Sequence, residues 1–119
     1  MADDEATVKD IVNEAKAAAG QFDSPIKIGA AVPKPSKALT DSLIAMANKQ
    51  TDIHEAAEQE ILESPALNAA LAALRSATGK LTTTAAIMTN ATAIVTQAST
   101  FVGYGTDAVK AINSVTKKS

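Results

Sequence analysis

The chain has 119 residues, of which 26 are alanine and only 25 are Leu, Ile, Val or Phe, with one Tyr, no Trp and no Cys. Thirteen acidic and eleven basic side chains leave a formal net charge of −2. So little bulky apolar mass supports one small domain, the lack of cysteine excludes disulfide frameworks and thiolate metal sites, and the near-neutral balance argues against a nucleic-acid partner.

The amino terminus carries Asp3-Asp4-Glu5 where a secretory leader needs a basic start and an apolar run. The expected compartment is therefore the cytoplasm, with leaderless export as the alternative. Within residues 1–22, the stretch 4–20 is predicted to be an amphipathic helix. Val8, Ile11, Val12, Ala15, Ala18, Ala19 and Phe22 recur at the spacing of three and four that builds one face. Asp3, Asp4 and Glu5 suit its positive end, and Gly20 is its expected stop.

Residues 23–35 hold Pro25, Gly29, Pro33 and Pro35. They are predicted to form a loop, because two prolines separated by one residue cannot continue a helix. Ile26, Ile28 and Val32 are positioned to pin that loop to a bundle. A second helix is predicted over 36–63, capped by Ser36, with Leu39, Leu43, Met46, Ile53, Ala57 and Ile61 as its inward stripe and Gln50 interrupting it. Its opposite face carries Asp52, Glu55, Glu58 and Glu63.

Ser64-Pro65 marks the next start, since serine suits a cap and proline the first helical position. Third and fourth helices are predicted within 65–117, divided by a break or kink at Gly79 and nearly continuous beyond it. In this half Leu67, Leu74, Leu81, Met88, Val95, Val102 and Val109 recur every seven residues. Three positions later come Ala70, Ala77, Thr84, Ala91, Ala98, Gly105 and Ile112, mostly small. Just before Met88, Val95, Val102 and Val109 lie Ile87, Ile94, Phe101 and Ala108, and Val115 continues that row. On a helix this arrangement makes a shallow groove with an alanine–glycine floor and aliphatic walls, which a partner helix can approach closely.

The same half has an uncharged back. Thr82, Thr89 and Thr96 form one row, and Thr83, Asn90 and Gln97 the next, where surface helices usually carry Lys and Glu. Thr78, Thr89 and Thr100 also stand eleven apart, a spacing similar to that of alanine-rich ice-binding helices. From Leu81 to Thr106 there is no formal charge over 26 residues, long enough to cross a bilayer. Only thirteen of these are apolar and eight are threonine, so a span is not expected. Charge divides unevenly: residues 1–63 carry twelve acids and six bases, residues 64–119 one acid and five bases. The two parts, −6 and +4, are expected to attract each other within the fold or between subunits.

Chemistry-bearing motifs are sparse. His54 and Glu58 lie one helical turn apart, yet zinc-protease and di-iron bundle sites each need a second histidine, and this chain has one. There is no nucleophile elbow and no phosphate-binding glycine loop. Gly103-Tyr104-Gly105 is expected to be a close-packing or bending point. No catalytic residue, cofactor, metal or small-molecule substrate is expected. The order helix, Ser64-Pro65-Ala66-Leu67 turn, long final helix resembles the hairpin subunits of bacterial secretion needles, which implies a self-assembling helical subunit.

The sequence thus predicts an all-α bundle or hairpin of about four helices, with a long C-terminal alanine- and threonine-rich helix of heptad periodicity. The expected function is non-enzymatic: self-association, or docking onto another helical protein. The expected contact residues are Leu81, Met88, Val95, Val102 and Val109, with Ile87, Ile94 and Phe101. The alternative is an amphipathic protein that binds lipid or another apolar surface.

Overall fold

The computed structural model describes residues 6–116. Five helices follow in order: α1 (Val8–Gly20), α2 (Asp23–Ala30), α3 (Lys37–Glu58), α4 (Ala66–Ile87) and α5 (Ala91–Asn113). The fold is all-α.

The first helix starts later than the periodicity suggests, because Thr7 makes a full capping box. Its hydroxyl accepts from the Asp10 amide, while the Asp10 carboxylate accepts from the Thr7 amide. The acids expected at the helix start, Asp3 to Glu5, lie outside the described residues. Helix α1 does not end in a loop. Gln21 and Phe22 keep right-handed helical angles, and i→i−3 bonds (Gln21 N to Ala18 O, 3.2 Å; Phe22 N to Ala19 O, 3.1 Å) join α1 to α2 through a tightened turn.

The loop expected over 23–35 is therefore shorter, and α2 occupies its first part. Pro25 is tolerated because it falls in the first turn, where a missing N–H is least costly. Ile26, Ile28 and Val32 do pack against the core. The irregular stretch is confined to Ala31–Ser36, around the Pro33-Lys34-Pro35 triplet.

Ser36 caps α3 by accepting from the Leu39 amide at 3.1 Å. The helix stops at Glu58 rather than near Glu63, and Gln59 turns extended. The extended chain lets Ile61 form an antiparallel bridge with Thr116, and the Leu62 amide donates to Val115 O at 2.8 Å. Tertiary pairing ends this helix, not a local breaker. At the start of α4 Pro65 already has helical angles and no side chain caps the turn, so Ser64 contributes its carbonyl, which accepts from the Leu67 amide.

The break expected at Gly79 falls elsewhere. Helix α4 runs straight through Gly79, and the chain turns at Met88-Thr89-Asn90. Asn90 is extended and its Oδ1 accepts from the Ala93 amide at 2.9 Å, a strong cap for α5. Gly103 and Gly105 lie inside α5 without interrupting it.

Phe22 stacks on Phe101 at the middle of the bundle, 4.5 Å between ring centroids and tilted by 52°, with both rings fully buried. Helix α5 packs against α3 on one side and α4 on the other, while α1 bridges the same two helices from the opposite side. Helices α1 and α4 start side by side, since the Ala6 and Val8 amides donate to Asn68 and Glu63. Their axes run parallel, with Glu14 then meeting Arg75. Helix α3 runs against α1 and beside α5, as Gln50 meets Ala19 and Lys49 lies over Gly105. The resulting bundle is long and thin, with extents of 52 × 31 × 18 Å and a radius of gyration of 15.2 Å; a compact chain of this length would have about 13.5 Å.

Candidate interaction surface

The eight side chains that the heptad pattern nominated for contact divide sharply. Leu81, Met88, Ile94 and Phe101 are fully buried within the bundle's own core. Val102 and Val109 are half-buried and packed against it. Ile87 and Val95 remain, 54% and 38% exposed. The small row lies inside the bundle, and the chain's own helices cover most of it.

The reason is a change of phase at the α4–α5 connection. In α4 the buried rows are Leu67, Leu74 and Leu81 with Ala70, Ala77 and Thr84. In α5 they are Ile94, Phe101 and Ala108 with Ala98, Gly105 and Ile112. The small row stays inward throughout, whereas the bulky row slips by one residue. Val95 is thereby turned outward, while Val102 and Val109 are left half-buried beside the seam.

The small floor does bring helices close together. A Cβ on Gly105 would lie 2.6 Å from Lys49 Cγ and 2.8 Å from Phe22 Cζ. A Cβ on Gly29 would likewise collide with Leu43, so α2 also rests directly on α3. Lys49 lays its aliphatic stem over Gly105 and reaches out to Asp52 at 3.3 Å. Gly103 faces open space and plays no such part.

Gln50, which interrupts the apolar stripe of α3, has partners on another part of the chain. Its Nε2 donates to Ala19 O at 2.9 Å and to Asp23 Oδ1 at 2.7 Å. It therefore ties α3 to the α1–α2 junction and satisfies a carbonyl at the end of α1. No single-sequence signal marks such a long-range partner.

Outside the core, α4 and α5 present a surface of unusual chemistry. Thr82, Thr83, Ala86, Ile87, Thr89, Asn90, Thr92, Val95, Thr96, Ser99, Thr100 and Gly103 are all exposed, and none is charged. The threonine hydroxyls are partly spent on their own helices. Thr78, Thr82, Thr83, Thr96 and Thr106 each donate to the carbonyl four residues back, at 2.8–3.2 Å. The surface therefore offers fewer free donors than its composition suggests. The Thr78, Thr89, Thr100 row does not lie on one helix, because Thr89 sits in the connection. Shallow depressions flank α5: one between Ser36, Ala38 and Val95, another between Ser76, Gly79, Thr83 and Tyr104 that is edged by a charge, the Lys80 ammonium 5.7 Å from the Tyr104 ring centroid.

Charge lies elsewhere. The acidic positions Asp52, Glu55 and Glu58 are exposed on α3, as is His54. Glu14, largely covered, and the exposed Arg75 approach at 3.8 Å across the two oppositely charged parts, a long contact of small energetic weight. Among the described residues no group of three or more His, Asp or Glu side chains is placed to hold a metal ion, and no helix is long and apolar enough to cross a membrane.

No protein-family model, no curated protein and no solved structure matches this chain. The likeness to needle-subunit hairpins is limited as well, since the α4–α5 hairpin is built into a bundle with α1 and α3.

Proposed function

We propose that this protein is a non-enzymatic, self-associating helical module, and that two copies meet through the uncharged outer surface of α4 and α5. The observation that carries this reading is the outward face of the uncharged run from Thr82 to Gly103, which includes the exposed Ile87 and Val95. Two identical copies can bring such a surface together without like-charge repulsion and without stripping water from ions. The acidic outer face of α3 does not allow this. Small side chains let the opposing helices approach closely, so dispersion contacts accumulate over a modest area.

Sedimentation velocity over a concentration series tests the proposal. With protein kept folded throughout, so that no arm exchange by refolding occurs, wild type is expected to shift to a larger species as concentration rises, while Val95→Asp stays monomeric with unchanged thermal stability, because Val95 lies outside the core. A wild type that remains monomeric throughout, or a variant that associates equally well, contradicts it.

A further inference from the structure

We propose that α1–α2, residues 8–30, is an exchangeable arm that two copies of this chain swap, with Pro33-Lys34-Pro35 as the hinge. The swap uses the seat of the arm inside the bundle, not the α4–α5 outer surface, and stands independently of the function proposed above.

The arm is a helix lying in a groove. Helix α1 sits between α3 and α4 and reaches α5 beneath them. Helix α1 contributes Ile11, Ala15, Ala18 and Ala19, and the turn after it Phe22, all fully or nearly fully buried, with Phe22 stacked on Phe101 of α5. The six residues Ala31–Ser36 are its only covalent link to the rest of the fold. The seat is thus complete for any arm of the same sequence, whichever chain supplies it.

The hinge is strained when closed. Lys34 has φ +51°, the only positive value at a non-glycine residue among the described residues. The left-handed region is disfavoured for a side chain with a Cβ. The residue before a proline is further pushed toward extended conformations, and Lys34 precedes Pro35. Pro33, Lys34 and Pro35 are all exposed, so the bend is held only from its edge, where Val32 packs on the core, and not by packing of its own side chains. A Pro-Lys-Pro segment left to itself extends as polyproline II. Extension carries the arm away from its own seat and toward a neighbour's. The exchanged dimer keeps every arm contact and relieves two hinges, against the entropy of joining two chains.

The test begins with refolding from denaturant at low and high concentration, then separation of monomer and dimer by size exclusion. Wild type is expected to form a slowly exchanging dimer at high concentration. Lys34→Gly accepts the left-handed bend freely, so dimer formation should weaken by about a hundredfold, roughly tenfold for each of two hinges. Lys34→Pro cannot adopt a positive φ and should drive the chain to the dimer. Arm position is read separately in the cysteine-free background. A tagged Glu14→Cys chain is refolded with an untagged Arg75→Cys chain and treated with a short bismaleimide. Exchange is expected to yield a covalent tagged–untagged pair, because positions 14 and 75 then meet between chains. A dimer without that cross-link, or an assembly state indifferent to both Lys34 substitutions, overturns the proposal, whereas loss of the Val95 effect alone leaves it intact.

Discussion

Alanine and glycine carry this fold where bulkier residues usually do. Gly105 and Gly103 are two positions apart on one helix, yet only Gly105 lies against a neighbouring helix and a buried ring. Gly105→Ala is expected to cost about 1–3 kcal/mol by overpacking against Phe22 and Lys49. Gly103→Ala should instead stabilise by about 1 kcal/mol, because it removes a helix-weakening glycine from open surface. Urea unfolding of both variants checks the opposite signs. The sequence marks both glycines as packing or bending points and cannot separate them, since the distinction depends on what α3 and Phe22 place nearby. Gln50 carries the same lesson. It looks like an error in the α3 stripe until Ala19 and Asp23 are seen to be its partners.

At the scale of elements, neither caps nor glycines were a sure guide: α1 ends at Gly20 as expected, but the Ser64 side chain caps nothing and Gly79 stays helical. Ser36 and its bond to Leu39 were legible. Asn90, followed by Ala-Thr-Ala-Ile, carried an equally good cap signal, but the unbroken run of seven-residue spacings through Met88 masked it. A heptad count across a turn can persist by coincidence of connection length, and here the buried bulky row slips by one residue. Gly79 stays helical because Ala77, Leu81 and Thr84 on either side are buried, and their packing outweighs its propensity cost. Asn90→Ala is expected to lose about 1 kcal/mol, detectable by thermal melting, through loss of the α5 cap. Phe101→Ala should lose about 3–5 kcal/mol, since that ring is core and not interface. Helix α2 was hidden because Pro25 and Gly29 look like loop residues. Proline is harmless in a first turn, and Gly29 is small where α2 lies on Leu43.

For the whole molecule, the sequence correctly conveyed an all-α bundle and a small-residue seam, but not who fills the seam. Composition cannot distinguish a groove waiting for a partner from one occupied by the chain's own helices. What remains outside is the uncharged α4–α5 surface, and the proposed self-association rests on it. Val95→Asp and Ile87→Asp should each leave folding stability within about 0.5 kcal/mol, as exposed substitutions do, while weakening association. Core substitutions such as Phe101→Ala should weaken both. Amide chemical shifts followed through a dilution series test the central claim most directly. Concentration-dependent shifts confined to residues 82–103 are the predicted result. Shifts confined to the acidic outer face of α3, or none at any concentration, would contradict it.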